Sequence, residues 1–320
     1  MFQIAVIGAG QLGSRHLQGL AKGSFSAEIW VMDPSADSLK VAEERYNEVK
    51  SDTKKVFFVS SVGNIQAKKL DLVIVATNSF HRLESIKNLV NHCAVSYLVL
   101  EKVLFPSVEE YAAAQQLIAD HKIKTWVNCP LRMNEFFAEV KANIKGKFSY
   151  AITGNSWGLG CNTIHHLDLF SYLSGSTDVQ LNSFISSAFP AKRNGYIEFE
   201  GSVKGRDEKG NLFSSSSVEA GAIEVLITIH GEGRAYMIDM ISGAAWLKSA
   251  EANNQWEQKK IRIAYQSELS KDLSESIFNT GTCGLTPFEE SAKLHIAFIN
   301  TLIQYLQQNS SEKITKCPIT

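Results

Sequence analysis

The sequence predicts an α/β domain built on a parallel sheet, followed by an α+β domain with a large, open-faced, mostly antiparallel sheet. In the first third of the chain, short apolar runs such as "QIAVIGAG", "DLVIVAT" and "SYLVLEK" alternate with amphipathic stretches. Continuous apolar strands of this kind are typical of a parallel sheet covered by helices on both faces. Later strands such as "YIEFEGSVKG" alternate apolar and polar residues, which indicates a sheet with one buried face. We therefore predict domains over residues 1–125 and 126–320.

The length and charge of the chain limit the kinds of partner. Its 320 residues are enough for two medium-sized domains. The 32 basic residues are balanced by 33 acidic ones, so the chain lacks the positive field that binds nucleic acids or anionic membranes. We predict a small-molecule ligand, with neither nucleic acid nor membrane as a partner.

The cysteines and the amino terminus indicate a cytoplasmic protein. The five cysteines are far apart and form no C-x-x-C pair, as expected of free thiols in a reducing compartment. The sequence starts without a basic signal region, and no apolar run reaches the roughly 18 residues that span a bilayer. No set of histidine, cysteine and acidic residues has the spacing of a metal site, so we predict no bound metal.

Three stretches organise the second half of the chain. The strand "AIEVLITIHG" places Ile223, Val225 and Ile227 on one face. The serine-rich "NLFSSSSVEAG" and the "GRDEKGN" before it predict a mobile hairpin. "LTPFEES" begins a final helix at about 287–308 that is expected to pack on the first domain. Because an open sheet with an apolar face tends to meet its copy, we predict a homodimer or homotetramer formed through this sheet.

A glycine motif directly follows the first predicted strand. In "MFQIAVIGAGQLGSRH", Gly8, Gly10 and Gly13 form the pattern G-x-G-x-x-G between an apolar strand and an amphipathic helix. In a dinucleotide-binding fold the first glycine makes the tight turn, the second lets backbone N–H groups approach a pyrophosphate, and the third lets helix and strand pack closely. This context predicts a Rossmann domain in which Gln11 and Leu12 also contact the cofactor.

An acidic residue after the second strand indicates which dinucleotide binds. Asp33 ends the strand "AEIWVMD", twenty residues after Gly13. A carboxylate there accepts hydrogen bonds from ribose hydroxyls and repels the 2′-phosphate of NADP, and no arginine adjoins it in "MDPSADS". We therefore predict NAD as the cofactor, with NADP disfavoured.

The ends of the fourth and fifth strands supply further candidates, because ligands of open parallel sheets lie outside the carboxyl ends of the strands. Lys102, in "LVLEKV", is placed to exchange a proton with a substrate hydroxyl as hydride leaves the same carbon. Neighbouring Glu101 is expected to hold the loop rather than to touch substrate. The residues predicted at the cofactor from these strand ends are Thr77, Asn78, His81, Glu101 and Lys102.

A second polar cluster lies in "SWGLGCNTIHHLDLFSYLSG", where a glycine-containing loop leads into an amphipathic helix. His165 and His166 fall in the first turns of this helix, a position from which an imidazole can reach a bound alcohol. One of two adjacent histidines can equally face the core, and Arg132 and Trp157 can equally be structural. The residues predicted to bind substrate are Asn128, Arg132, Trp157, Asn162, His165 and His166.

Over nearly its whole length the sequence resembles the glucose-fructose oxidoreductase, myo-inositol dehydrogenase and MocA group of NAD(P)-dependent oxidoreductases. The resemblance rests on "AVIGAGQLGSRH", "VATNSFH", "LEKV" and "IHHLDLFSYLSG", which occur in the family's order. It implies a Rossmann domain, an open-faced sheet domain and hydride transfer between nicotinamide and a sugar, cyclitol or nucleotide sugar. It also places Lys102 in the family's catalytic-lysine position and His165 in its histidine position.

The chain departs from the family pattern at three places, one of which is Ala76-Thr77-Asn78, where the prolines common after the fourth strand are missing. Val103 stands where the family usually has proline, and Cys161 stands where an acid often precedes the histidine by four residues. Any proton relay must then rest on Lys102 and His165, because Asn162 cannot act as a base. Two alternatives stay open. One is an NAD-binding sensor without catalysis, and the other is an NADPH-dependent reductase of a non-sugar substrate, which the acidic residue after the second strand opposes.

Overall fold

A computed structural model of the chain describes residues 1–218, 221 and 225–320. The strands, in chain order, are β1 (Phe2–Ile7), β2 (Ala27–Met32), β3 (Lys54–Val59), β4 (Lys69–Val75), β5 (Ala94–Leu100), β6 (Lys124–Val127), β7 (Ser149–Asn155), β8 (Val179–Pro190), β9 (Ile197–Asp207), β10 (Leu212–Val218), β11 (Leu226–Gly231), β12 (Arg234–Asp239), β13 (Ala244–Ser249), β14 (Trp256–Lys260) and β15 (Thr286–Pro287). The α-helices are α1 (Gln11–Ala21), α2 (Ala36–Asn47), α3 (Ser79–His92), α4 (Val108–Asp120), α5 (Glu135–Asn143), α6 (Leu159–Ser174), α7 (Gln266–Thr280) and α8 (Phe288–Gln308).

The chain divides into two compact units, and the first includes a segment from late in the sequence. The first unit comprises Met1–Phe105, Glu109–Asn128 and Ala264–Glu289, and the second comprises Pro106–Val108, Cys129–Ile263 and Glu290–Thr320. The first unit therefore contains α7, which the boundary predicted from the sequence places in the second domain. α7 packs along α1, where a Cβ on Gly19 would lie 2.6 Å from the Cβ of Ser270. The missing side chain of Gly19 lets the two helices approach closely.

The sheet of the first unit combines parallel strands β1 to β6 with the short antiparallel strand β15. Its order is β15-β6-β5-β4-β1-β2-β3, which contains the strand order 3-2-1-4-5-6 of dinucleotide-binding folds. The ends of β1, β2 and β4 are continuously buried and apolar, as in a parallel sheet covered on both faces. The order reverses between β1 and β4, so the carboxyl ends of these strands flank the point where such sheets bind ligands.

The second unit is built on a sheet of order β14-β13-β12-β11-β7-β10-β9-β8. Its pairings are antiparallel apart from the parallel pair of β7 and β10. α6 packs on β9 and β10 and so covers one face of the sheet. The predicted combination of a parallel α/β domain and a mostly antiparallel α+β domain is thus confirmed.

The serine-rich stretch forms one strand of a hairpin, as predicted, because β10 pairs antiparallel with the preceding strand β9. Residues 212–218 are, however, a partly buried inner strand of the second sheet rather than a loop. β10 pairs with β7 on one side and with β9 on the other. Phe213, Ser215 and Ser217 are buried in alternation, and the Ser215 hydroxyl lies 2.7 Å from that of Thr163 on α6. Hydroxyl pairing replaces apolar contact at this point between strand and helix. Glu219 and Ala220 of the predicted hairpin, and Ile223 of the predicted next strand, lie outside the described residues.

α8 is the last helix of the chain. From residue 290 onward it belongs to the second unit. The expectation that it packs on the first domain stays a prediction. Its buried residues include Leu294, Phe298 and Leu302, which recur at helical spacing. In the part of the chain that the structure describes, no helix combines the length and apolarity needed to cross a membrane.

Candidate cofactor and substrate sites

The glycine motif lies at the carboxyl end of β1, and its three glycines have different surroundings. Gly8 has a φ of +96°, a conformation that favours glycine, and packs against the backbone of Ala76 and Thr77 after β4. A Cβ on Gly13 would lie 1.8 Å from the carbonyl oxygen of Gly8, so the helix can approach the loop only without a side chain here. A Cβ on Gly10 would meet no atom of the described residues within 4 Å, which leaves open space in front of the loop.

The start of α1 is suited to an anion. Gly10 is the N-cap, and among the described residues no side chain caps the helix and no acidic residue occupies its first turn. The Ser14 N–H donates to the Gly10 carbonyl at 3.0 Å, so the N–H groups before Ser14 are left to a ligand at the positive end of the helix dipole. This arrangement binds the pyrophosphate of dinucleotides. Gln11 and Leu12, both predicted to contact the cofactor, are exposed there.

Asp33 is held beside the glycine loop by backbone N–H groups. Its Oδ2 accepts a hydrogen bond from the Ala9 N–H at 2.8 Å, and its Oδ1 accepts one from the Ser35 N–H at 2.8 Å. The carboxylate is therefore fixed at the carboxyl end of β2 and remains partly exposed. From this position it can accept hydrogen bonds from the hydroxyls of a ribose.

Arg45 on α2 also reaches the start of α1, which sequence reasoning missed. Its guanidinium donates to the Gln11 side-chain oxygen and to the Ser14 hydroxyl, both at 2.6 Å. These partners lie 34 and 31 positions away along the chain, so no motif spacing signals the contact. The arginine places a positive charge beside the helix start and adds to its attraction for an anion.

The end of β4 supplies a hydroxyl without a protein partner. The Oγ1 atom of Thr77 is buried and has no hydrogen-bond partner among the described residues. Because buried polar atoms are nearly always paired, an unpaired one beside the glycine loop fits a hydrogen-bonding ligand. Asn78 caps α3 by accepting from the His81 N–H at 3.2 Å, and His81 is exposed. The space in front of Gly10, the open helix start, Asp33 and Thr77 together fit a dinucleotide.

Alanine substitutions at two glycines separate packing from ligand binding. Gly13→Ala is expected to lower the free energy of unfolding by about 3 kcal/mol, because its Cβ collides with the backbone of Gly8. Gly10→Ala is expected to change stability by less than about 1 kcal/mol, since Gly10 has a φ of −62° and open surroundings. It should instead weaken NADH binding by about tenfold or more. Urea unfolding and NADH titration measure both effects, and a fully stable Gly13→Ala protein would contradict the close packing.

Glu101 lies in a buried polar network at the carboxyl end of β5. His16 Nε2 is 2.8 Å from Glu101 Oε1, and the Asn128 amide donates to the same oxygen at 2.6 Å. His16 Nδ1 is 2.8 Å from the Ser270 hydroxyl on α7, and Asn128 also donates to the Gln266 side chain at 2.8 Å. The network therefore joins β5, α1, the end of β6 and α7 around the Glu101 carboxylate.

Burial and hydrogen bonding act in opposite directions on the pKa of Glu101. Burial raises this pKa, but the hydrogen bonds from His16 and Asn128 and the charges of His16 and Lys102 outweigh it, so the pKa lies below its ordinary value. Glu101 is therefore ionised at neutral pH. Asn128 is 3% exposed and donates both of its described hydrogen bonds inside the network, so the prediction that it binds substrate finds no support in this geometry.

Lys102 begins the loop after β5 and is partly exposed. The peptide bond between Lys102 and Val103 is cis. The carbonyls of Val103 and Leu104 accept hydrogen bonds from the guanidinium of Arg82 on α3, the second at 2.7 Å. Arg82 also donates to the Thr77 carbonyl and is only 1% exposed. Sequence reasoning missed this arginine, which ties the loop of Lys102 to the loop of Thr77.

α6 carries both candidate histidines, and a carboxylate from β9 fixes its start. Glu198 Oε2 accepts from the Gly160 N–H at 2.7 Å, and its Oε1 accepts from the Cys161 N–H at 3.0 Å. A negative charge at this end of a helix contributes about 0.3–1 kcal/mol of stability. Sequence reasoning missed the cap, because Glu198 lies 37 positions after Cys161 in the chain. A carboxylate therefore lies beside Cys161, but β9 supplies it rather than α6.

Four of the residues predicted to bind substrate line one cavity of the second unit. Its volume is about 290 Å³, near the lower end of the range for small-molecule sites. Arg132 is not among the described residues that line it. Its Nη1 lies 3.8 Å from Asp168 Oδ1, and its guanidinium lies 4.9 Å from the ring centre of Tyr172. The lining residues are Trp157, Asn162, His165 and His166, with Pro130, Leu131, Val225, Met240 and Ile241.

His166 is the more buried of the two histidines in this cavity. Its Nδ1 lies 2.8 Å from the Tyr150 hydroxyl. Burial lowers the pKa of His166 to about 3 and raises the pKa of Tyr150 well above its ordinary value, so both side chains are neutral at pH 7. Because the phenol keeps its proton, we assign its O–H as the donor to Nδ1, with the imidazole proton on Nε2. His165 is less buried and reaches the same cavity.

The burial of His166 implies that the protein loses stability as the pH falls below about 6.5. Between the ordinary pKa of 6.5 and the folded value of about 3, the unfolded chain binds a proton that the folded chain excludes. This residue should therefore lower the free energy of unfolding by about 2 kcal/mol between pH 7 and pH 5. His166→Asn should remove most of that dependence. Urea unfolding at the two pH values measures it, and equal losses for wild type and variant would contradict a buried neutral His166.

Comparisons with known proteins agree with this architecture. Residues 2–129 match the family model GFO_IDH_MocA, described as an oxidoreductase family with an NAD-binding Rossmann fold. No curated protein matches the sequence. Several solved structures share the fold along nearly the whole chain at low sequence identity.

Three of these structures illustrate the range of proteins with this fold. The scyllo-inositol dehydrogenase of Lactobacillus casei, solved with NAD(H) and scyllo-inositol, is 16% identical with a TM-score of 0.68, covering 97% of this chain and 98% of that one. The UDP-N-acetylglucosamine 3-dehydrogenase GnnA of Acidithiobacillus ferrooxidans is 13% identical with a TM-score of 0.70, covering 94% and 96%. A super-repressor mutant of Gal80p from Saccharomyces cerevisiae is 13% identical with a TM-score of 0.75, covering 98% of each chain.

The strand order, the glycine loop and the side chains at the carboxyl edge of the first sheet define an NAD-binding Rossmann domain. The match of residues 2–129 to the model of the Gfo/Idh/MocA oxidoreductase family agrees with the resemblance seen in the sequence. Within the described ranges, no group of three or more histidine, cysteine and acidic side chains could hold a metal ion.

Proposed function

We propose that the protein is an NAD-dependent oxidoreductase that transfers a hydride between nicotinamide and a secondary alcohol or ketone of a sugar, cyclitol or nucleotide sugar. The observation that carries this proposal is the arrangement of the glycine loop, Asp33, Thr77 and Lys102 at the carboxyl edge of one parallel sheet. Open sheets bind nucleotides where their strand order reverses, as it does here between β1 and β4. The family match supports the reaction class, and the shared fold of an inositol dehydrogenase and a nucleotide-sugar dehydrogenase supports the substrate class.

The residues of the chain have separate proposed roles. When bound, NAD supplies the carbon that accepts or returns the hydride. Lys102 is the proposed acid/base, and its Nζ exchanges a proton with the hydroxyl on the carbon that is oxidised. His165 orients that hydroxyl or shares its proton. His166 is neutral at pH 7 and so contributes hydrogen bonds rather than charge.

Asp33 is proposed to make the protein prefer NADH to NADPH. Its carboxylate would accept hydrogen bonds from the ribose hydroxyls and repel a 2′-phosphate. Asp33→Ser is therefore expected to shrink the preference for NADH over NADPH by about tenfold or more, measured by fluorescence titration. Arg45→Met is the matched control, because it removes a charge at the same loop and should weaken both cofactors alike. An unchanged preference for NADH in Asp33→Ser would show that another residue sets it, whereas a wild-type protein that prefers NADPH would favour the NADPH-dependent alternative.

The proposed activity is tested by a cofactor titration followed by a substrate panel. The purified protein is titrated with NADH and NADPH, and the reduced-nicotinamide absorbance is then followed with the oxidised cofactor and sugars, cyclitols and nucleotide sugars. NADH binding with turnover of a panel member supports the proposal. Failure to bind either cofactor would overturn it.

An NAD-binding regulator without turnover is the second candidate. Cys161 stands where the family often has an acid, and the nearby Glu198 carboxylate is bonded to backbone N–H groups. One structure with the same fold is that of a super-repressor mutant of Gal80p. This candidate expects tight NADH binding, no turnover of any panel member and no functional effect of replacing Lys102.

We also propose that copies of the chain associate through the open face of the second sheet as a homodimer or homotetramer. Phe184 and Leu226 lie on this face in one row of paired residues that crosses the strands. Val218 on β10 lies on the same face, next to that row. Their exposed fractions are 66%, 39% and 52%, respectively. Exposed large apolar side chains that share a face are typical of an association surface.

The five free cysteines support a reducing, cytoplasmic compartment.

A further inference from the structure

The cavity beside His165 has a mostly apolar wall. Of the described residues that line it, the polar ones besides His165 are Asn162 and His166, and each uses part of its hydrogen-bonding capacity within the protein. Asn162 donates to the Trp157 carbonyl at 2.7 Å, and His166 Nδ1 pairs with the Tyr150 hydroxyl. A bare polyol carries a hydroxyl on nearly every carbon. Each hydroxyl placed against an apolar wall loses its hydrogen bonds to water without replacement.

Ile241 stands at the rim of this cavity although it is 63% exposed. The turn between β12 and β13 holds it in place, because the Asp239 carboxylate accepts from the N–H groups of Ile241 and Ser242 at 3.0 Å each. The Ser242 hydroxyl donates to the same carboxylate at 2.6 Å. The turn thus presents a large aliphatic side chain to solvent next to a concave site, an arrangement typical of a surface that is covered by a ligand.

Trp157, another residue of the lining, is also fixed in position. Its Nε1 donates to the Ser216 carbonyl at 2.8 Å, and its ring packs edge-on against His166 with 5.5 Å between ring centres. Gly154 has no side chain, and a Cβ there would lie 3.0 Å from Val225 and 3.3 Å from Trp157. Val225 and Trp157 therefore close over Gly154 as a preformed apolar wall, which binds a ligand without an ordering penalty.

We infer that the substrate carries an apolar substituent, alkyl or aryl, which lies against Trp157, Met240 and Ile241 while its reacting hydroxyl faces His165. An apolar cavity of about 150 Å³ holds a benzene ring. The cavity of about 290 Å³ therefore has room for such a ring together with part of a sugar. The inference rests on the proposed function for the hydroxyl that reacts, but the binding of the substituent is a separate property.

Matched glycosides test the inference on the full chain with NADH bound. Isothermal titration compares the phenyl and methyl β-glycosides of glucose, galactose and mannose, which differ within each pair only in the apolar group. In at least one pair, the phenyl glycoside is expected to bind about tenfold or more tightly than the methyl glycoside. Ile241→Ser should cut this preference to about threefold or less. The control Val41→Ser, which replaces a 38% exposed side chain on α2, should leave it unchanged.

Two results would overturn the inference. One is a preference below about threefold in every pair, including the case in which none of the glycosides binds. The other is a preference that survives in Ile241→Ser, which would place the substituent elsewhere. The proposed function fails in a different way. In that case the phenyl preference is present and depends on Ile241, but no substrate of the panel is turned over.

Discussion

Lys102→Met is expected to lower turnover by about 10²- to 10⁴-fold, the contribution of a positioned general acid or base. Methionine keeps most of the side-chain length but has no proton to exchange. Because Lys102 is partly exposed at the start of its loop, the substitution leaves no buried cavity and should not unfold the protein. NADH binding should therefore remain close to that of the wild type. The measurement is kcat on the substrate found in the panel, together with an NADH titration.

The matched control for this variant is Lys87→Met, which removes an exposed lysine of α3 in the same unit. Its kcat and KM should equal those of the wild type. A wild-type kcat for Lys102→Met would remove this lysine from the proposed chemistry, and a change confined to KM would make it a binding residue. The pH profile adds a further check, because the limb of kcat/KM that reports the acid/base should disappear in Lys102→Met.

The cofactor loop could be predicted from the sequence because all of its determinants are local. Gly8, Gly10 and Gly13 follow a buried strand within six residues, so the motif and its context lie in one short window. The structural reasons are equally local, since Gly13 approaches Gly8 and a left-handed φ is needed at Gly8 itself. The position of Asp33 could be predicted for the same reason, because Asp33 directly follows the next strand of the same βαβ unit.

The polar network around Glu101 could not be predicted in the same way. His16 meets Glu101 across 85 positions and Ser270 across 254, and no spacing rule connects residues so far apart. α7 joins the first unit because its Ser270 side faces Gly19, a close approach that a single sequence does not signal. Only the folded chain shows that both His16 and Asn128 bind the Glu101 carboxylate.

The serine-rich strand illustrates how composition can conceal a pattern. A run of serines is typical of loops, and this composition predicted a mobile hairpin. The alternation of Phe213, Ser215 and Ser217 nevertheless has the period of a strand, and these three side chains are buried. The Ser215 hydroxyl is acceptable in the interior because Thr163 on α6 offers it a hydrogen-bond partner. The partner was the missing information, and it lies 52 positions away.

Arg82→Met is expected to lower the free energy of unfolding by about 4 kcal/mol. Arg82 is 1% exposed and donates to the carbonyls of Thr77, Val103 and Leu104. Methionine fills much of the same volume but leaves these three acceptors without their charged donor, and each such hydrogen bond contributes about 1.5–3 kcal/mol before non-additivity. Urea unfolding monitored by tryptophan fluorescence measures the loss.

Two further variants separate the charge of Arg82 from its geometry. Lysine keeps the charge but has one compact ammonium group in place of the planar fork, so Arg82→Lys should recover only about half of the lost stability. Arg206→Met removes an exposed arginine of β9 and should change stability by less than about 0.5 kcal/mol. Wild-type stability in Arg82→Lys would show that charge alone is sufficient, and wild-type stability in Arg82→Met would show that the loops are held by other contacts.

The same arginine should also affect function, in a way that differs from Lys102. Arg82 joins the loop after β5 to the loop after β4, and these two strands are neighbours in the first sheet. The proposed cofactor contact at Thr77 and the proposed acid/base Lys102 therefore depend on one buried side chain. Loosening both loops should weaken NADH binding and reduce turnover together, whereas Lys102→Met reduces turnover alone. A variant of Arg82 that lost stability but kept wild-type NADH affinity and kcat would show that the two loops hold their positions without the arginine.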